Sequence, residues 1–119
     1  MTDKTPSSLA DDAAEAVGAL SRRTQDSEGG QGWQQPEEAC ATVGALVTMA
    51  MRLPEVFDQI CAFIEHLEFR AHLRSNRDTL ESDLLDTYAG LVEAKEAAER
   101  LHAALSLAQS GLRPLAYKS

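Results

Sequence analysis

Two pairs of acidic residues at helical spacing are the part of the sequence that could do chemistry. Glu65 and Glu68 are three residues apart, and Asp83 and Asp86 repeat that spacing further along the chain. Residues three apart share a helix face, so a tight turn between two helices would bring both pairs together. Carboxylate oxygens are ligands that Mg²⁺ prefers. The spacing therefore allows a magnesium site beside such a turn.

The same pairs resemble the motif of the all-α nucleotide pyrophosphohydrolases, Glu-x-x-Glu followed after a spacer by Glu-x-x-Asp. The resemblance implies a Mg²⁺-dependent nucleotide hydrolase with Glu65, Glu68, Asp83 and Asp86 as ligands. Asp83 stands where that family has glutamate, and Glu65 and Asp86 point away from the expected helix contact. Because the chain has nineteen acidic residues, we interpret the pairs as a solvated charged face and keep the metal site as an alternative.

The remaining candidates for chemistry are weaker. His66, His72 and His102 have no spacing typical of metal ligands. We expect Cys40 and Cys61 to be reduced and buried as small hydrophobic residues. The sequence contains no nucleophile or phosphate-binding motif. We therefore predict no catalytic residue, no cofactor and no enzyme activity.

Charge and hydropathy limit the partners of the chain. The formal net charge is −8, which disfavours binding to nucleic acid and to anionic lipid. The amino terminus lacks the pattern of a signal peptide. The longest uncharged stretch, 39–51, is shorter than a bilayer-spanning helix requires. We expect a soluble, cytoplasmic protein with no nucleic-acid or membrane partner.

The first 35 residues are predicted to form a short helix and a linker. Thr5 followed by Pro6 is typical of a helix start, and apolar residues at helical spacing continue the helix over 6–23. Glycine-rich residues 24–35 predict a flexible linker. Trp33 within the linker is interpreted as an anchor on the helices that follow, or as an exposed contact for a partner. Residues 36–119 form the second predicted unit.

Residues 36–119 carry two heptad-spaced apolar seams. The seam of the first helix, which begins at Pro36, continues through Pro54 without a slip, so we expect a kinked but continuous helix. A turn is predicted at 75–77, with Asp78 as the N-cap of a last helix that ends near Ser110. The seam residues are Val43, Leu46, Ala50, Leu53, Phe57, Ile60, Ile64, Leu67 and Ala71, then Leu80, Leu84, Thr87, Leu91, Ala94, Ala98, Leu101, Leu105 and Ala108.

Two seams joined by a short turn predict an all-α fold, a long antiparallel helical hairpin with coiled-coil-like packing. The apolar stripe is wider than a hairpin needs, so we expect the N-terminal helix and a second copy to cover it. The predicted interaction surface comprises Trp33, Val56, Phe57, Ile60, Cys61, Phe63, Ile64, Leu84, Leu85, Tyr88, Leu91 and Val92. We predict a non-catalytic protein–protein interaction module that acts by helix packing as a homodimer or with another protein. An acidic inhibitor or antitoxin that binds a basic partner is the other non-enzymatic alternative.

Two segments suggest a further resemblance. The run Arg-Leu-Pro-Glu-Val-Phe-Asp-Gln at 52–59, the alanine-rich last helix, and Arg-Pro-Leu-Ala-Tyr at 113–117 resemble small helical proteins of actinobacteria, some of them encoded near mobile-element genes. The likeness covers about residues 36–117. It implies an all-α fold and no particular activity.

Overall fold

The computed structural model describes residues 3–25, 33, 35–116 and 118. In this part, the chain forms three α-helices and no strand: α1 (Pro6–Arg23), α2 (Pro36–Phe69) and α3 (Leu80–Leu112). α2 and α3 pack against each other in an antiparallel hairpin. The predicted all-α hairpin is confirmed.

α1 forms as the sequence predicts. The Thr5 hydroxyl accepts a hydrogen bond from the Ser8 amide at 3.2 Å, and Pro6 occupies the first helical position. However, no Cα atom of α1 lies within 8 Å of a Cα atom of α2 or α3. The expectation that this helix covers part of the hairpin is therefore wrong for the described residues. Of the predicted linker, residues 26–32 and 34 lie outside the described residues.

α2 is one helix that continues through Pro54. Proline removes one backbone hydrogen bond and crowds the preceding turn, but the apolar spacing on both sides of Pro54 stays in phase. Packing of both halves against the same partner helix keeps them in one element. The prediction of a continuous helix at this position is confirmed.

α2 ends earlier than its seam predicts, because the chain reverses at Ala71. The His72 amide donates to the Leu67 carbonyl at 2.9 Å, and the Ala71 amide donates to the Glu68 carbonyl at 3.0 Å. This pattern is a Schellman motif, with Ala71 left-handed at φ 58°. The connection spans residues 70–79, so the predicted turn at 75–77 is too short.

The start and end of α3 also differ from the prediction. Asp78 lies in the connection at φ 60° and is not the N-cap, which is Thr79. At the other end α3 continues to Leu112. Gly111 therefore lies inside the helix. The prediction that it forms the C-cap is wrong, because the C-cap is Arg113.

The contact between α2 and α3 buries little. Of the described residues, only Ala50 and Ala98 are buried, with 0% and 5% of their surface exposed. Lys95 pairs with Asp58, and a side chain added at Gly44 would collide with Gln109. Both contacts give the same antiparallel alignment of the two helices. Small residues at the closest approach bring the helices together but leave larger apolar side chains only partly covered.

Candidate interaction surface

The seam between α2 and α3 is rotated from its predicted position on α3. The residues that face α2 include a polar row, defined as Tyr88, Lys95, His102 and Gln109. These four residues recur every seven positions, and each is half-buried. The predicted seam positions one residue before them, Thr87, Ala94, Leu101 and Ala108, are consequently displaced to one side of the contact.

The polar row makes hydrogen bonds across the seam. The Tyr88 hydroxyl donates to a Glu68 carboxylate oxygen at 2.7 Å, and the Lys95 ammonium donates to Asp58 at 3.0 Å. Partial burial, with the nearby Glu68 carboxylate, raises the pKa of Tyr88 to about 12. Its bond to Asp58 raises the pKa of Lys95 above the ordinary value. Since these partners are spaced along both helices, the polar contacts fix the register of the hairpin.

Helical spacing assigns the two sides of the hairpin. Met51 and Asp58 each follow a seam residue of α2 by one position, and they line grooves that also contain Glu99 of α3. Residues one position before a seam residue lie on the other side of the helix, because successive residues turn by about 100°. That rule places one row of α2 residues on the side of the hairpin opposite the grooves: Met49, Val56 and Phe63. The equivalent row of α3 is Gly90, Ala97, Ala104.

These two rows and the residues beside them form what we call the uncharged face. It carries no charged side chain, and its α2 edge is large while its α3 edge is mostly small. Val56, Ile60 and Phe63 are 44%, 42% and 59% exposed. A Cβ atom added at Gly90 would meet nothing within 4 Å. The uncharged face comprises Met49, Leu53, Val56, Ile60 and Phe63 of α2 and Gly90, Ala94, Ala97, Leu101 and Ala104 of α3.

The structure divides the predicted interaction surface into separate groups. Val56, Ile60 and Phe63 lie on the uncharged face. Leu85 and Val92 are exposed on the groove side, and Trp33 is half-buried outside the three helices. The seam contains half-buried residues: Phe57, Cys61, Ile64, Leu84, Tyr88 and Leu91.

The predicted interaction surface left out the small residues of the uncharged face. Gly90, Ala97 and Ala104 carry little hydrophobicity, so a search for large apolar residues does not find them. A signal was present in the seven-residue spacing of the polar row, which marks the side of α3 that faces a partner through polar contacts. Placing that row against α2 would have turned the small residues outward.

Two of the four predicted magnesium ligands, Asp83 and Glu68, are held by other side chains, and the other two, Glu65 and Asp86, are exposed. Asp83 accepts hydrogen bonds from the hydroxyls of Ser75 and Thr79, and Arg77 pairs with it at 2.6 Å. These donors, led by Ser75, hold the pKa of Asp83 below its ordinary value. Glu68 is bound by Tyr88.

The part of the chain that the structure describes therefore offers no site for a metal ion. That part contains no group of three or more histidine, cysteine or acidic residues that could hold a metal ion. Asp83 instead fastens the 70–79 connection to the first turns of α3, which is a structural task. The magnesium hydrolase hypothesis loses its geometric basis, and we do not carry it further.

The histidines and cysteines show no arrangement for chemistry either. His102 lines a groove with Ala50, Met51, Pro54 and Glu99, and His102 and Glu99 alone are fewer ligands than a metal site requires. Cys40 and Cys61 are free thiols and half-buried, so the expectation that they are fully buried is wrong. The thin contact between two helices covers neither of them completely.

By length and composition alone, α2 would be able to cross a membrane, with a mean hydropathy of 1.3 over its most apolar stretch. A single helix of this kind is weak evidence for a membrane span, because a helix of a soluble protein can have the same length and composition. Charged groups also accompany that part of α2, because Glu99 of α3 lines the same groove as Ala50 and Met51. An ionised carboxylate beside the helix would be costly in hydrocarbon.

Comparisons of the chain with protein-family models, with curated proteins and with solved structures found no match. The resemblance to small helical proteins of actinobacteria therefore stays a prediction.

Proposed function

We propose that the protein is a non-catalytic interaction module of the cytoplasm that binds other protein surfaces by helix packing. The uncharged face is the binding surface. One observation carries the proposal: the hairpin buries only two alanines among its described residues, while Val56, Ile60 and Phe63 stay exposed side by side. Contiguous apolar surface of this kind is uncommon on monomers and is typical of protein contacts.

The proposal agrees with the chemistry of the rest of the hairpin. Two polar contacts cross the seam, Tyr88–Glu68 and Lys95–Asp58. These contacts align the two helices. Binding through the uncharged face would draw on burial of apolar surface, at roughly 25 cal/mol per Å².

The test is affinity purification of the tagged protein from its host, followed by mass spectrometry. Phe63→Asp places a charge on the uncharged face. Phe69→Asp places the same charge at the last residue of α2, where the Phe69 side chain is 88% exposed. We expect a stoichiometric partner chain, a second copy or another protein, with the wild type. Phe63→Asp should lose it, and the matched control Phe69→Asp should retain it.

Two results would contradict the proposal. Equal recovery of the partner by both variants would show that binding uses another surface. A complex that weakens steeply as salt is raised would favour the acidic-inhibitor alternative, because exposed charge pairs are screened beyond about 10 Å at 0.1 M salt. Contacts through an uncharged face depend little on salt.

A further inference from the structure

The uncharged face has large and small side chains at matching heights. The hairpin register, marked by Asp58 beside Lys95, sets Phe63 level with Gly90. Moving seven residues along each helix in opposite directions sets Val56 level with Ala97. Each large side chain of the α2 row therefore lies level with a small residue of the α3 row.

We infer that the uncharged face pairs with the same face of a second copy, related by a two-fold axis parallel to the helices. This inference rests on the proposed function and names its partner. Such an axis keeps heights unchanged and exchanges left for right, so α2 of each copy lies on α3 of the other. Phe63 of one copy then meets Gly90 of the other, and Val56 meets Ala97. The contact occurs twice, as an isologous interface requires.

Gly90 supplies the most specific part of the argument. A glycine inside a helix weakens it, since alanine is the better helix former. Among the described residues, nothing within one copy requires glycine here, because an added Cβ atom would meet open space within 4 Å. A phenyl ring of a second copy seated over this position would require it, since large-against-small packing brings helices close together.

Area and charge agree with a second copy. The chain exposes 9395 Å² of surface, whereas a compact monomer of 12.9 kDa would expose about 6,300 Å² by the usual scaling. The excess is about 3,100 Å², part of it on the separate helix α1. Stable homodimers bury about 2,000–5,000 Å² in total over both copies, which this excess can supply. Each copy has a net charge of −8. Two copies can still approach through this face, because it places no charged side chain of one copy against a charged side chain of the other.

α1 is a poorer occupant of the face. It has few large apolar residues, namely Leu9, Val17 and Leu20. Its eighteen residues span about 27 Å, and no Cα atom of α1 lies within 8 Å of the hairpin helices. A single helix would also lie between α2 and α3, and it would not seat a large side chain at each small residue of α3.

The experiment is the molar mass of the full-length protein by light scattering and analytical ultracentrifugation over a range of concentrations. We expect a dimer. Gly90→Leu should raise the dissociation constant about 100-fold, since overpacking at two symmetric sites adds up. Ala103→Leu is the control, because it places the same side chain at an exposed position of α3 on the opposite side of the helix from the uncharged face, and it should stay dimeric. Helicity should be unchanged in both variants.

A swap variant separates packing from a general effect of the substitution. Phe63→Ala together with Gly90→Phe exchanges the large and small partners, and it should restore pairing that Gly90→Phe alone abolishes. A monomeric wild type would overturn the inference, and so would a dimer that Gly90→Leu leaves intact. A wild-type dimer lost on Val17→Asp in α1 would also overturn it, because α1 would then form the contact.

The outcomes distinguish this inference from the proposed function. A monomeric wild type that loses a different protein partner on Phe63→Asp would overturn self-pairing and leave the interaction module intact. Binding to neutral phosphatidylcholine vesicles that Phe63→Asp abolishes would overturn both, since the face would then contact lipid. If neither Phe63→Asp nor Gly90→Leu changes any complex, both proposals fail.

Discussion

The two sides of the hairpin are built from the same two helices but carry different chemistry. On the groove side, Asp58, Lys95 and Glu99 accompany the apolar residues, and Lys95 is paired with Asp58. On the uncharged face, Val56 and Phe63 are exposed with no polar partner. The difference teaches that register and binding are separate tasks here. Polar contacts align the helices, and the apolar surface that the hairpin leaves uncovered is free for another chain.

Phe57 and Phe63 give the largest test of this comparison. Phe57 lies in the seam and lines a groove with Leu91, so Phe57→Asp places a charge between the helices. We expect a loss of about 2–3 kcal/mol in the free energy of unfolding, enough to unfold a hairpin with so little core. Urea denaturation followed by circular dichroism measures it. Phe63→Asp should keep the helicity of the wild type, and a similar loss in both variants would show that the two sides are not distinct.

Ala97 and Ala98 are neighbours that the comparison assigns to different tasks. Ala98 is buried in the seam and Ala97 is exposed on the uncharged face. Ala98→Leu should overpack the contact and lower the free energy of unfolding by about 1–3 kcal/mol. Ala97→Leu should leave unfolding of the isolated hairpin almost unchanged while weakening assembly. Thermal unfolding at dilute concentration and light scattering at high concentration separate the two effects.

Much of the fold could be predicted because its causes are local. The start of α1 follows from Thr5 and Pro6, and the heptad spacing through Pro54 predicts one long α2. The end of α2 could not be predicted, because Ala71 adopts a left-handed conformation that glycine would normally mark. The Schellman bonds and the Asp83 cluster decide that reversal, and both depend on how the connection folds.

The candidate surface was predicted in part, for a different reason. A heptad pattern shows that α3 has an apolar stripe, but a wide stripe does not tell which edge faces α2. The rotation that brings Lys95 and His102 into the seam depends on contacts with the partner helix. The predicted surface therefore included Val56, Ile60 and Phe63, whereas it left out the small residues of α3.

Tyr88 tests the polar side of the comparison by its ionisation. The raised pKa, about 12 compared with 10.0, means that the folded state favours the neutral phenol. The neutral Tyr88 phenol therefore contributes fully to the stability of the fold below pH 10, and this contribution is lost as the pH rises towards 12. We expect the absorbance of tyrosinate in the Tyr117→Phe variant to report this value. Glu68→Gln should lower the pKa of Tyr88, and an unchanged titration would exclude the cross-helix hydrogen bond.

The Lys95–Asp58 pair sharpens the comparison with the smallest expected effect. The Lys95 and Asp58 side chains are 38% and 60% exposed, so water screens the pair and it should contribute little to stability. The bond to Asp58 raises the pKa of Lys95, so this contribution is present below the ordinary lysine pKa of 10.5 and is lost at higher pH. Lys95→Gln should lower the free energy of unfolding at low salt and have little effect at high salt, where charge is screened.

Lys118→Gln is the control for that variant, because it removes the same charge outside the helices. Self-association should respond differently, since the uncharged face contains no ion pair for salt to screen. We therefore expect added salt to erase the effect of Lys95→Gln while the wild-type dimer persists. The opposite result would be a dimer that dissociates in salt, together with an unchanged difference in the free energy of unfolding between the wild type and Lys95→Gln. That result would contradict the assignment of register to the polar side and of binding to the uncharged face.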